Sequence, residues 1–221
     1  MRLVLSLTTL AVLTPFAFAK STEETKEADR LEKAGARVTY DDGMPDTARL
    51  RVHFVKLDDK AAVALKGCTH VATLAVDDAS KLTDRILTAI GTFAGLRELS
   101  LVRASITGAG LAHLKDLKEL RKLYLIDARL YDAGVAQLKG LDTLEELDVS
   151  GTGITNAAGA TFKTLTGLKL LAVTKTKFGD SGVAHLKELK DLKTLEAVNT
   201  DVSVKAAMAL EAALPGIRVK R

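Results

Sequence analysis

The 221-residue chain carries 32 basic and 28 acidic residues, a formal charge of +4, and is 47% hydrophobic with no tryptophan and only 4% aromatics. So small and dispersed a basic excess offers no concentrated stripe for nucleic acid or anionic lipid, and the scarcity of aromatics argues against a stacking groove for sugars or bases. The length admits one or two domains.

Residues 1–19 read as an export signal. Arg2 supplies the positive start, Leu3 to Phe16 an apolar stretch, and Ala17-Phe18-Ala19 a small-residue cleavage pattern before Lys20. The stretch is shorter than the ~20 residues of a spanning helix and is interrupted by Thr8, Thr9 and Pro15. Cleavage and export to the periplasm, envelope or exterior are therefore expected, rather than a retained anchor. No Cys stands at the cleavage point to accept a lipid, and loss of Arg2 leaves 31 basic against 28 acidic residues.

Residues 20–50 read as a cap. Ser21-x-x-Glu24 is a capping box, Ala28, Leu31 and Ala34 share one helical face, and Gly35 is a stop. A strand at Val38-Thr39-Tyr40 and a turn at Asp41-Asp42-Gly43 follow, and the whole is expected to cover the open core of the next segment.

Residues 51–221 repeat. The pattern Leu-x-x-Leu-x-Leu begins at Leu96 and returns every 24 residues at Leu120, Leu144, Leu168 and Leu192, with a looser unit at Val71–Gly95. A degraded unit at Arg51–His70 carries Val52, Phe54, Val63 and Leu65 in the apolar slots, making about seven units. Repetition at this period marks a solenoid whose units bury their apolar faces against neighbours. Each unit opens with period-two alternation, as in Leu123-Tyr124-Leu125, and continues at helical or 3₁₀ spacing, as in Gly110-Leu111-x-x-Leu114-x-x-Leu117. Thr107, Asp132, Asn156 and Asp180 stand where helix caps belong. Strand, short helix and return predict a parallel sheet on one side and helices on the other. A last strand at Ile217 and Val219, flanked by Arg218 and Lys220, closes the array with a charged edge.

These units resemble the leucine-rich repeat family, in its short 24-residue bacterial exported form related to the cysteine-containing and ribonuclease-inhibitor-like subclasses. The phrase is carried by Leu96 to Leu117 and by Leu144 to Leu165 with Ser150-Gly151-Thr152-Gly153-Ile154-Thr155. Departures are Ala104 and Ala128 in the Thr slot, which should weaken hydrogen bonding there, and Ala158 at a helix-start Gly. The resemblance implies an α/β right-handed solenoid with the sheet on the concave side and short helices on the convex side. It also implies a non-catalytic module, monomeric and without cofactor, that binds a protein or peptide. Two rival functions are a structural envelope component without a specific ligand and an enzyme inhibitor or adaptor.

Candidate chemistry is sparse. The segment Ser150 to Asn156 has Asn156 where a dinucleotide loop needs Gly, and the repeat explains its glycines as turns. His113 and His185 share a slot three units apart, at least ~14 Å from strand spacing alone, too far for one metal ion. His53 and His70 have no Cys or carboxylate at a spacing that reads as a site. Cys68, the single cysteine, replaces a ladder leucine and is expected as a buried thiol. The exposed sheet face should present Glu98, Lys122, Glu146, Leu170 and Thr194 in one row and Ser100, Tyr124, Asp148, Ala172 and Glu196 in the next, with Arg103, Asp127, Gly151, Lys175 and Asn199 just beyond. Tyr124 amid Lys122, Asp127, Glu146 and Asp148 is the one aromatic in mixed charge and the expected partner-binding site. Glu146 and Asp148 do not read as a catalytic pair, because basic neighbours Lys122 and Lys169 hold both ionised. Seven strands give a face of roughly 29 by 13 Å, smaller than the ~800 Å² per partner of a standard interface.

Overall fold

The structure, a computed structural model, describes residues 21–41, 43 and 48–221; the expected export signal and Asp42 lie outside them. Chain order is α1 (Thr22–Lys33), β1 (Arg37–Tyr40), β2 (Leu50–Asp58), β3 (Val71–Lys81), α2 (Arg85–Ile90), β4 (Glu98–Leu101), β5 (Lys122–Tyr124), α3 (Asp132–Val135), β6 (Glu146–Asp148), α4 (Gly159–Phe162), β7 (Leu170–Ala172), α5 (Asp180–His185), β8 (Thr194–Glu196), α6 (Val204–Ala213) and β9 (Arg218–Lys220), with 3₁₀ turns at Ala61–Leu65 and Ala109–Leu114 among the helical pieces. The nine strands form one sheet in sequence order. Only β1, against β2, is antiparallel; the rest run parallel because a helix returns the chain to the same end of the sheet. From β4 to β9 each residue pairs with one 24 further on, as in Glu98↔Lys122, Lys122↔Glu146 and Thr194↔Arg218.

The fold is an α/β solenoid with a sheet on one side and short helices on the other. Between them run stacked apolar rows: Leu99, Leu123, Leu147, Leu171 and Leu195 from the strands, and Leu117, Leu141, Leu165 and Leu189 from the helical halves, all buried. Each row is one slot of the repeat seen end on, and burial of a leucine contributes about 1.5–3 kcal/mol. The sheet is longer than the seven-strand estimate, because β1 and β9 join it at the two ends.

At the first end α1 packs Ala28 and Leu31 into the core and stops at Gly35, whose φ of +94° suits glycine. The Ser21 side chain accepts from Glu24 N–H as a cap should. The other half of the capping box is not made. Glu24 is fully buried and its carboxylate takes two hydrogen bonds from Arg49, Nε at 3.2 Å and Nη2 at 2.8 Å. Tertiary charge pairing wins over the local bond because an unpaired buried Arg would cost far more than one exposed cap.

The expected caps also act differently. Asp132 accepts from Thr155 N–H and Oγ1, one unit ahead, at 2.9 and 2.7 Å. Asn156 accepts from Gly179 and Gly182 N–H, and Asp180 from Ser203 N–H and Oγ. Asp59 and Asp84 do the same toward Thr83 and Thr107. Thr107 is a donor in this chain of bonds rather than a cap. The side chains thus stitch successive units together, since helices of four to six residues place the next unit's free N–H groups closer than their own. The series is interrupted once among the described residues: Gly108 occupies the acceptor slot, Tyr131 the next donor slot, and Gly108 packs so closely on Gly134 that a Cβ would lie 2.1 Å from the Gly134 Cα.

Thr152, Thr176 and Thr200 donate to carbonyls three residues back in their own unit, so Ala104 and Ala128 forfeit a local turn bond and not an inter-unit one. Arg103, Asp127, Lys175 and Asn199 all adopt positive φ (54–62°), and Gly151 joins them at +71°. These residues form a left-handed column in which Arg103, Asp127, Gly151 and Lys175 each donate N–H to a carbonyl of the following unit.

Candidate functional site

The exposed sheet face carries the expected rows in register: Glu98, Lys122, Glu146, Leu170 and Thr194, then Ser100, Tyr124, Asp148, Ala172 and Glu196. Ala172 departs from expectation at 2% exposed, its single methyl shaded between Asp148 and Glu196 on adjacent strands.

Lys122, Tyr124 and Glu146 form one bonded cluster. Lys122 Nζ lies 2.8 Å from Glu146 Oε1, and Tyr124 Oη donates to Glu146 Oε2 at 2.5 Å. Asp148 stands beside Tyr124 in register but is turned to its own strand end, where it accepts from Ser150 N–H at 2.8 Å. Asp127 stands apart, exposed in the left-handed column at the edge of the face. Lys169 bonds Glu145, not Glu146 or Asp148.

Burial opposes ionisation of Glu146, yet the hydrogen bonds from Lys122 and Tyr124 outweigh it and hold the carboxyl below the usual carboxylate range. Burial, then the bond to Glu146, pushes the Tyr124 phenol up, and the same carboxylate raises Lys122. Each shift moves the group's titration further from neutral pH, the reverse of what a general acid or base needs. The cluster is suited to presenting a fixed aromatic edge and a fixed charge pair.

Other sites looked different in sequence. His53 Nε2 lies 2.9 Å from Asp77 Oδ2, and His70 Nδ1 lies 3.1 Å from Glu27 Oε1. Both histidines therefore have carboxylate partners that local spacing hid, although Asp77 lies 24 residues after His53, one repeat on. Glu27 also accepts from Thr69 and His70 N–H, tying α1 to the link that leads into β3. His113 is exposed and lies 3.4 Å from Thr88 Oγ1; His185 is half-buried. Cys68 is fully buried, and burial pushes its thiol up despite Arg30 at 3.1 Å. Val63, expected in an apolar slot, is 68% exposed, because the 3₁₀ turn directs Ala62 and Leu65 inward instead. No helix among the described residues is long and apolar enough to cross a membrane.

No family model and no curated protein matches the chain. Solved structures do match. The crystal structure of an internalin C2 from Listeria monocytogenes aligns with a TM-score of 0.59 at 21% identity, over 75% of this chain and 66% of that one. The chain thus spans just under two thirds of that protein's length. The likeness is one of fold, the leucine-rich repeat solenoid.

Proposed function

We propose that the chain is an exported, non-catalytic module that binds a protein or peptide on its sheet face. Lys122, Tyr124 and Glu146 form the centre, with Asp148 beside them and Asp127 at the rim. The observation that carries this reading is the Tyr124–Glu146–Lys122 cluster. A tyrosine held by a charged acceptor presents a rigid amphipathic surface at low entropic cost, the property that makes tyrosine common at interface centres. The nine-strand length of the face and the solenoid fold shared with an internalin support it.

The test is crosslinked capture from the envelope fraction of the source cell, using the unmodified chain beside a Tyr124→Ala/Asp148→Lys variant whose circular dichroism matches it. A protein retained only by the unmodified chain supports the sheet-face assignment. Equal capture by both overturns it.

A further inference from the structure

At the edge where strands hand over to helices, the unit Leu144–Gly167 is cut low. Its loop has Gly151 and Gly153 where the flanking units carry Asp127 and Arg129 before it, and Lys175 and Lys177 after it. Gly153 N–H donates to the Leu130 carbonyl beside Tyr131, and Thr155 is bridged in parallel to Lys177. The loop is therefore a floor between two banks, one carrying Tyr131 and the other Lys175 and Lys177, each one strand spacing away and together ~10 Å apart. The space above it is an open trough of about 580 Å³, with Asn199 at its far side.

Both banks are unspent. Tyr131 stands in the slot where Thr83, Thr107, Thr155 and Ser203 bond to the preceding unit. It contributes no such bond: its phenol has no hydrogen-bond partner among the described residues, and the side chain is 61% exposed. The ring rests against Gly153, where a Cβ would lie 2.5 Å from Cδ1. A bridge of the stack is thus exchanged for a surface tyrosine, the residue type that interfaces favour. Lys122, Lys169 and Lys220 on the sheet are all paired, whereas exposed Lys175 and Lys177 form no ion pair or side-chain hydrogen bond among the described residues. Two residues apart, their Cα atoms are separated by at most ~7.6 Å. Of the neighbouring acids, Asp132 is taken up by Thr155 and Asp180 by Ser203, Asp127 leans onto Gly151, and Asp201 stands past the lysines, opposite Gly179.

We propose that this trough is a contact site, off the sheet face, for an extended acidic peptide segment of the form Glu-apolar-Glu. An extended chain sends alternate side chains to opposite sides, with residues i and i+2 ~7 Å apart. Lying along the floor, such a segment gives two carboxylates to Lys175 and Lys177 and the apolar side chain between them to the Tyr131 ring. The site is separate from the Tyr124 cluster and does not depend on it.

The probe is acetyl-Gly-Glu-Val-Glu-Gly-amide, titrated into the isotope-labelled full chain at low salt and followed by amide chemical shifts. Saturable shifts are expected at Gly153, Thr155 and Lys177, with the shuffled peptide acetyl-Gly-Glu-Glu-Val-Gly-amide at least about three-fold weaker. Lys175→Gln/Lys177→Gln lowers affinity roughly three- to ten-fold, and Tyr131→Ala roughly five-fold or more. Gly153→Ala pushes only the exposed ring aside, so it keeps its melting temperature and reproduces the Tyr131→Ala loss. Tyr124→Ala leaves peptide affinity unchanged, which keeps this result apart from the sheet-face test. Absent binding, equal affinity for the two peptides, or undiminished binding by the lysine or Tyr131 variants overturns the proposal. So does an equal loss in Tyr124→Ala, or trough-dependent binding seen only with trigalacturonate or inorganic phosphate.

Discussion

The hydroxyl of Tyr124 rests 2.5 Å from Oε2 of Glu146 and not on Asp148, the residue its backbone faces across the β5–β6 pair. The side chain therefore lies diagonally over the sheet, and Glu146 becomes the shared acceptor for the phenol and for Lys122. Because the folded-state pKa of Glu146 is lowered, its contribution to stability is present above the ordinary carboxylate range and is lost as pH falls through the lowered value. Glu146→Gln should therefore cost stability at neutral pH and converge with the unmodified chain in strong acid. Urea unfolding followed at several pH values measures the gap; a gap that persists undiminished in acid refutes the linkage.

Asp84 gathers Thr107 N–H and Oγ1 with the N–H groups of Gly108 and Gly110, at 2.7–3.2 Å. Burial disfavours its charge, but these four bonds prevail and lower its pKa. Asp84→Ala is expected to cost about 2–3 kcal/mol at neutral pH, the scale of hydrogen bonds to a charged group. Below the carboxylate range the cost should shrink, since the acid is protonated in both states there. Chemical denaturation of the two proteins at neutral and acid pH reads both numbers.

Glu24 and Arg49 are 0% and 2% exposed, so neither charge tolerates losing the other. Glu24→Ala should cost about 3–5 kcal/mol, whereas an apolar replacement of both partners, Glu24→Leu/Arg49→Met, should recover most of it. A double-mutant cycle in guanidinium gives the comparison. A double variant no more stable than the single one means that the pair does more than neutralise itself.

Glycine plays two separable roles. At Gly134 a Cβ would stand 2.4 Å from the Thr107 carbonyl oxygen and 2.9 Å from the Gly108 Cα, backbone atoms that cannot turn aside. At Gly140 nothing lies within 4 Å, but φ is +90°. Gly140→Ala should cost about 1–2 kcal/mol from backbone strain alone. Gly134→Ala should cost at least as much, about 1–3 kcal/mol, through the forced separation of two units. Thermal unfolding of both variants distinguishes strain from crowding, because only Gly134→Ala should also loosen the Gly108 contact detected by amide chemical shifts.

The leucine rows and the register Glu98–Lys122–Glu146–Leu170–Thr194 were legible in sequence, since a fixed period places equivalent residues side by side. Departures arose wherever a residue had two partners to choose from. Glu24 could complete its capping box or neutralise Arg49, and only the burial of Arg49 decides. Asp132, Asn156 and Asp180 announced hydrogen bonding near a helix start, yet whose N–H they would take depends on how tightly units stack. Val63 was misassigned because three-residue and four-residue spacings diverge within one short turn. The His53–Asp77 pair could have been found by searching one repeat ahead, where Asp77 stands.

The interruption at Gly108 and Tyr131 divides the molecule energetically. A stacked array has nearest-neighbour cooperativity, so its stability is a sum over junctions and unfolding propagates until it meets the weakest one. With glycine in place of the aspartate or asparagine at position 108, that junction separates two blocks held internally by carboxylate and amide links. Amide hydrogen exchange would sort into two cooperative groups split near residue 120, where the two units meet, and pulling on the chain ends would release the molecule in two steps.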